Sequence, residues 1–407
     1  MNYVRQIRSF QPNARRLLVA SLLSGLGSSV FSLLFNLYLL SLGHRADFMG
    51  LVASTTTLAT ALSGPAIVLL APRMSFGRML ALGFLLQVVG GAGMVLSTAP
   101  AVILTMAAVL GLSAGFYWAP VPPFLVENSS LEERNHLFAI NVAILLVAGI
   151  LGNLMGGQLP SLLGPLLGTQ GPDSYRVTML VAAAIAGLAL LPMSGLRPPA
   201  SQPHVRAAAS QASPSAERAG RRHIAALGLS AITAGVAIGL SFPFFNVFFA
   251  TQHGASSELI GRIFAINSAV STVAALAAPA LAHRLGYVRS ISLGRASTGV
   301  ALVALAASPS LLLASATLFI RTFCIQTMSP LIDAFSMSIV SPRQRALMAS
   351  TTTTLWHLGY AVSSFLAGVV IVRYGFFPAF VAAAGVLLLN AGVFLAYFRN
   401  WRSTEGS

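Results

Sequence analysis

Residues 17–42 read LLVASLLSGLGSSVFSLLFNLYLLSL, and residues 224–250 read IAALGLSAITAGVAIGLSFPFFNVFFA. Neither run holds an acidic or basic side chain. A hydrocarbon core about 30 Å thick is crossed by roughly 20 helical residues, so each run is long enough to span a bilayer. Lipid offers the backbone no hydrogen-bond partner, which makes a helix the natural state of such a run. Working outward from these two, further runs of the same kind bring the total to twelve, at about 17–42, 48–71, 77–98, 100–124, 137–159, 176–195, 224–250, 258–282, 288–307, 310–337, 345–371 and 376–398. The expected fold class is therefore all-α integral membrane. Arg15-Arg16 before the first run looks like a targeting signal, but the run is too long for a signal-peptide core and reads as a retained first span.

Composition agrees. Hydrophobic residues make up 56% of the 407 positions and charged residues 8%, against about 25% charged in a soluble domain. The formal charge of +15 is spread in ones and twos between apolar runs and forms no stripe that would track a nucleic acid. All 24 basic residues are arginine, which removes the lysine of a P-loop and with it a built-in nucleotide motor. Cys324 is the single cysteine, so neither a disulfide framework nor a cysteine metal site is expected. No H-E-x-x-H and no phosphate loop followed by lysine occurs; the reading is not an enzyme, with no cofactor and no metal.

Arginine placement orients the spans, because cytoplasmic loops beside a membrane are enriched in basic residues. With the N-terminus inside, 18 arginines face the cytoplasm, 4 the outside, and Arg295 and Arg321 fall within spans. Both termini are then cytoplasmic, and the expected location is a multi-pass inner or plasma membrane. Residues 196–223 are rich in Pro, Ala, Ser, Gln and Arg, too polar and proline-broken for a span, and read as a cytoplasmic linker between a bundle at 1–195 and another at 224–407. A shift of about 210 positions lays one half on the other: Phe35-Asn36 meets Phe245-Asn246, and Gly50, Arg73, Arg78 and Gly83 meet Gly261, Arg284, Arg289 and Gly294. Gly149 then falls on Gly359, and "PPFLVENSSLEERNHLFA" parallels "SPLIDAFSMSIVSPRQRALMA".

Twelve spans, inside termini, a basic central linker and a 6 + 6 duplication resemble bacterial members of the major facilitator superfamily of secondary transporters over nearly the whole chain. That family's loop signature G-x-L-A-D-R-x-G-R, between spans two and three, is met here by "VLLAPRMSFGR", where Arg73, Gly77 and Arg78 remain and Pro72 replaces the aspartate. In the second half "PALAHRLGY" keeps Arg284 and Gly286, with His283 in place of the aspartate. Span five, "GILGNLMGG", resembles a drug-antiporter signature with Asn153 where proline belongs. Its glycines equally serve close helix packing.

The resemblance implies a central cavity lined by spans one, four, seven and ten. Candidate substrate contacts on those spans are Phe35, Asn36, Tyr38, Tyr117, Trp118, Phe245, Asn246, Phe249, Arg321 and Gln326. Arg321 stands out: a charge near mid-span costs at least about 2.5–3.5 kcal/mol and faces a cavity or a partner. Asp333 lies twelve residues along the same span, about 18 Å away at 1.5 Å per residue, too far to pair on one helix. Arg321 either awaits an anionic substrate or bonds to carbonyls, water or an acid across a helix interface. Glu127 and Asp333 are candidates for proton coupling, or structural partners of loop arginines, and Arg73 and Arg284 are gating candidates. The aromatic stripes Phe31-Phe35-Tyr38 and Phe242-Phe245-Phe249 either pack or bind.

The leading expectation is alternating-access transport of a small amphipathic or aromatic solute, proton-linked and outward. The alternatives are a uniporter or importer of a small organic anion held by Arg321, and a transporter-like sensor that binds without moving its solute. The implied partners are the lipid bilayer, a small-molecule substrate and protons as coupling ion, with a monomer expected.

Overall fold

The computed structural model describes residues 10–130, 132–196 and 214–399, the side chains of 214–219 excepted. Every regular element among the described residues is helical. The first part of the chain forms α1 Pro12–Ser41, α2 Ala46–Leu70, α3 Phe76–Leu96, α4 Pro100–Trp118, α5 Val121–Glu127, α6 Arg134–Leu167, α7 Pro172–Gly187 and α8 Leu190–Ser194. The second forms α9 Pro214–Gly239, a 3-10 turn at Phe242–Phe244, α10 Phe245–Gln252, α11 Ser257–Leu285, α12 Tyr287–Ala306, α13 Leu311–Ile339, α14 Arg345–Tyr374 and α15 Phe376–Phe398. Among the described residues, 11 helical stretches are long and apolar enough to cross a membrane. The twelfth expected span, α12, is a helix of 20 residues whose Arg289 and Arg295 dilute its apolar character.

The chain divides into two compact units. One holds 1–44, 55–206 and 254–265; the other holds 45–54, 207–253 and 266–407. The division differs from the simple halves expected from the repeat, because the start of α2 groups with the second unit and the start of α11 with the first. Of the expected linker at 196–223, residues 197–213 lie outside the described residues, and α9 is already helical from Pro214, ten positions before the apolar run begins.

Within the first unit α1 packs on α6 and α7, and α3 on α4 and α7; within the second, α9 packs on α14 and α15, and α12 on α13 and α15. The same pairings recur at corresponding places, so the duplication read from isolated residues extends to the packing. Aromatic residues close the ends of each unit. Phe84, Phe124 and Phe10 join Leu17 and Leu137 in one core, while Phe335, Phe394 and Phe398 join Ile291 and Leu331 in the other.

Lipid tails are as apolar as leucine, so membrane helices associate through close packing and polar links rather than hydrophobic exclusion. Gly152 on α6 stands against Leu26 and Ser29 of α1, and Gly359 on α14 against the Ile232 carbonyl of α9. A Cβ at either position would drive into backbone. Gly359→Ala is accordingly expected to cost about 1–3 kcal/mol, the range for overpacking, seen as a lower thermal midpoint in detergent. An unchanged midpoint would show that α9 and α14 part without cost.

Candidate functional site

The seventh span is not one continuous helix. α9 ends at Gly239, the chain turns through Phe242–Phe244, and α10 begins at Phe245. Pro243 has no N–H to give to a helix ladder and favours the start of a new turn over the continuation of an old one. The break fixes the Phe245 ring, whose edge-on contact with Phe380 of α15 has a centroid spacing of 5.6 Å. Over that ring sits the guanidinium of Arg321 from α13, with Cζ 4.9 Å from the centroid.

Arg321 is 4% exposed, and its Nε is buried without a hydrogen-bond partner. The Phe245 ring is the guanidinium's one recorded interaction among the described residues. A guanidinium carries five N–H donors, and removing an ion from water costs several kcal/mol even after relaxation. A cation–π contact returns about 0.5–2 kcal/mol, so the group is left under-satisfied.

Arg295 on α12 shows what a structurally satisfied arginine looks like in the same unit. It is 3% exposed and lies over Phe394 with Cζ 4.7 Å from the centroid. Its Nη1 donates to Asn390 Oδ1 at 2.6 Å. Asn390 in turn donates through Nδ2 to the Ser230 carbonyl at 2.9 Å and to Thr233 Oγ1 at 2.5 Å. One amide thus ties α12, α15 and α9 together. Both arginines rest on phenylalanine, but only Arg295 also has an amide acceptor.

In the first unit Phe31 stacks on Phe35 at 5.0 Å, and Phe35 and Tyr38 are buried. The Tyr38 hydroxyl reaches the Val95 carbonyl at 3.5 Å. Tyr117 donates to Ser21 Oγ at 3.0 Å and meets Trp118 edge-on at 5.2 Å, while Trp118 itself is exposed. Gln87 of α3 accepts from Ser24 at 2.6 Å and donates to Ser28 at 2.8 Å, a polar clamp on α1. A cavity of about 460 Å³ opens at one end of this unit, lined by Asn13, Ser75, Arg78, Phe124, Glu127 and Asn128 among others.

Phe249 is buried between Phe248 and His253. Asn246 is also buried, and its Oδ1 accepts from the Val247 N–H at 2.9 Å. Asn36 is half-buried, and Gln326 and Asp333 are exposed along α13. Arg73 and Arg284 are exposed, one in the turn after α2 and the other in the last turn of α11. Asn390 and Gln87 were missed in the sequence; the available signal was a lone amide inside an apolar run, since a buried amide needs partners.

Two units with the same helix pairings, built among the described residues from helices long and apolar enough to cross a membrane, are the architecture of a multi-pass membrane protein. The family model of the Major Facilitator Superfamily matches residues 17–229 and 227–406, and the chain belongs to that family. Among solved structures it is similar to a bacterial homologue of the human lysosomal transporter Spinster in its inward-facing, unoccupied conformation, with 17% identity, 95% of this chain and 96% of the other covered, and TM-score 0.76. The nucleoside transporter NupG is similar at 15% identity, 96% and 100% coverage and TM-score 0.73. A bacterial homologue of the iron transporter ferroportin, in the inward-facing state, follows at 15% identity, 95% and 98% coverage and TM-score 0.75. Likeness at this identity carries the fold and not the cargo. No curated protein matches the sequence.

Proposed function

We propose that this chain carries a small amphipathic or aromatic organic anion across the membrane by alternating access, the anion's charge being held by Arg321. The observation that supports this is the contrast between the two buried arginines: Arg295 is hydrogen-bonded to Asn390, whereas among the described residues the Arg321 guanidinium has only the Phe245 ring and a buried Nε with no acceptor. An uncompensated charge inside a membrane protein marks a substrate or ion site by default. A carboxylate supplies the two acceptor oxygens that a guanidinium fork matches. The test is thermal stabilisation of the purified protein by anionic, cationic and neutral aromatic compounds, with Arg321→Ala alongside.

Proton linkage is assigned to Glu127 and not to Asp333. Glu127 is half-buried and lines the open cavity of about 460 Å³ together with Arg78, which places an acid beside a basic side chain. Asp333 is exposed on its helix. In proteoliposomes Glu127→Gln is expected to leave substrate movement insensitive to an imposed pH gradient, and Asp333→Asn to leave the response intact. Retained pH-driven accumulation in Glu127→Gln would remove the assignment.

A further inference from the structure

The fifth span, α6, turns two faces of small residues to two different helices. Gly152 and Gly156 stand against α1, at Leu26, Ser29, Val30 and Leu33. Asn153, Gly157 and Ser161, at the four-residue spacing that shares a helix face, stand against the start of α11. All of these contacts lie within the first unit, which takes in residues 254–265. A Cβ at Gly157 would meet the Gly261 Cα and the Ser257 carbonyl oxygen at 2.9 Å, so backbone rests on backbone there. One turn to one side, Asn153 Nδ2 reaches the Phe264 carbonyl at 3.4 Å; one turn to the other, Ser161 Oγ donates to Glu258 Oε1 at 2.6 Å. Asn153 is the residue that stands in place of the signature's proline, and a proline would bring no amide to that carbonyl. The repeat shift carries Gly157 to Gly368 and Gly261 to Gly50, and these two are likewise closed against the backbone of Ala46 and of Ser364 within the second unit.

We propose that the strip between α6 and the start of α11 is a latch that opens and closes in the transport cycle, and that the Ser161–Glu258 hydrogen bond governs how long it stays closed. This rests on the alternating-access reading and is independent of what Arg321 holds. The Ser161 hydroxyl has one proton to give and two acceptors for it: Glu258 on α11, and the Gln158 carbonyl of its own helix at 2.9 Å. When α11 leaves, the proton turns to Gln158 and the hydroxyl stays satisfied. Glu258 also has a second home. It lies in the first turn of α11, where unpaired backbone N–H groups favour a carboxylate. Ser161 is exposed and Glu258 half-buried, so water replaces the bond that is given up. The glycine contact beside them has no interlocking side chains to withdraw. Parting is therefore cheap on both surfaces, unlike at the α1 face of α6, where Leu33 and Val30 fill the space over Gly156. Two arrangements separated by little free energy are both populated.

The experiment uses the full-length purified protein carrying Cys324→Ser, with spin labels on Gln158→Cys and Arg262→Cys, two exposed positions that flank the strip. Their separation is read by pulsed electron resonance with no substrate added. A short and a long distance are expected. Ser161→Ala removes the donor and should raise the ratio of long to short about two- to tenfold, the worth of one hydrogen bond of this kind. Glu258→Ala should raise it equally, the double variant no further than either single one, and Ser161→Thr, which keeps the hydroxyl, should hold the starting ratio. Thermal midpoints show that each variant is folded. A single short distance both before and after Ser161→Ala means that the strip is fixed and overturns the inference. A mixture of distances that Ser161→Ala leaves unchanged overturns it as well. Either failure leaves the anion reading of Arg321 to its own test by thermal stabilisation.

Discussion

Arg321→Ala is expected to cut stabilisation by anionic compounds at least by half, from about 2.7 kcal/mol to about 1.4 kcal/mol or less at the same ligand concentration, while leaving the unliganded protein at least as stable as the wild type. The two halves of that result have separate causes. A ligand at 100 times its dissociation constant stabilises a protein by about 2.7 kcal/mol, and a charge-assisted, two-oxygen contact to a guanidinium is worth about 1.5–3 kcal/mol. Losing it therefore weakens binding about tenfold to more than a hundredfold. Folding is spared because the side chain that is removed was buried at 4% exposure with no acceptor at Nε; the cost of the void is offset by relief of the desolvated charge. Arg321→Lys should not rescue binding fully, since an ammonium cannot present the planar fork. If cationic or neutral aromatics stabilise wild type and Arg321→Ala alike, Arg321 is structural and the carrier works through its aromatic groups.

Asn390→Leu should have the opposite profile, with a large loss of stability and no direct effect on ligand preference. The substitution removes the Oδ1 acceptor of Arg295 and the Nδ2 donor to Ser230 and Thr233, leaving a guanidinium in apolar surroundings with only the Phe394 ring. Leaving a buried donor without its acceptor costs about 1–3 kcal/mol, and more when the donor is charged. The double variant Arg295→Met with Asn390→Leu removes the charge together with its acceptor and should recover most of that loss, as apolar replacements of buried polar pairs do. Thermal or denaturant unfolding of the two single variants and the double one forms a cycle whose coupling term is the quantity of interest. Additive losses would show that Asn390 does not act through Arg295.

These two arginines also mark how far composition and spacing reach. Both were visible as charges inside apolar runs, but the difference between them is made by residues far away in sequence: Asn390 is 95 positions from Arg295, and Phe245 belongs to a different helix from Arg321. Run length located the spans because twenty apolar residues have few other uses. It did not see the break at Phe242–Phe244, since the residues there are as apolar as their neighbours, and only Pro243 hinted at it. Nor did it place the start of α9, where Arg221, Arg222 and His223 read as linker although the chain is already helical. The aromatic stripe on the seventh span was read as one face; the change of helix axis at the turn separates exposed Phe242 from buried Phe245 and Phe249. The grouping of residues 45–54 and 254–265 was equally invisible, because close approach at small residues leaves no periodic trace.

The position of Arg295 bears on how the chain is made. It lies near the middle of the 20-residue helix α12, and entering a bilayer with an arginine at mid-helix costs about 2.5–3.5 kcal/mol on insertion scales. Its amide partner arrives only with α15, the last helix of the described chain. During synthesis the ninth span thus waits beside α13 with an unanswered charge until some ninety further residues have emerged. A chain interrupted between the two would leave α12 holding a buried charge without its amide acceptor, and α9, α12 and α15 are tied together only once the last helix is in place.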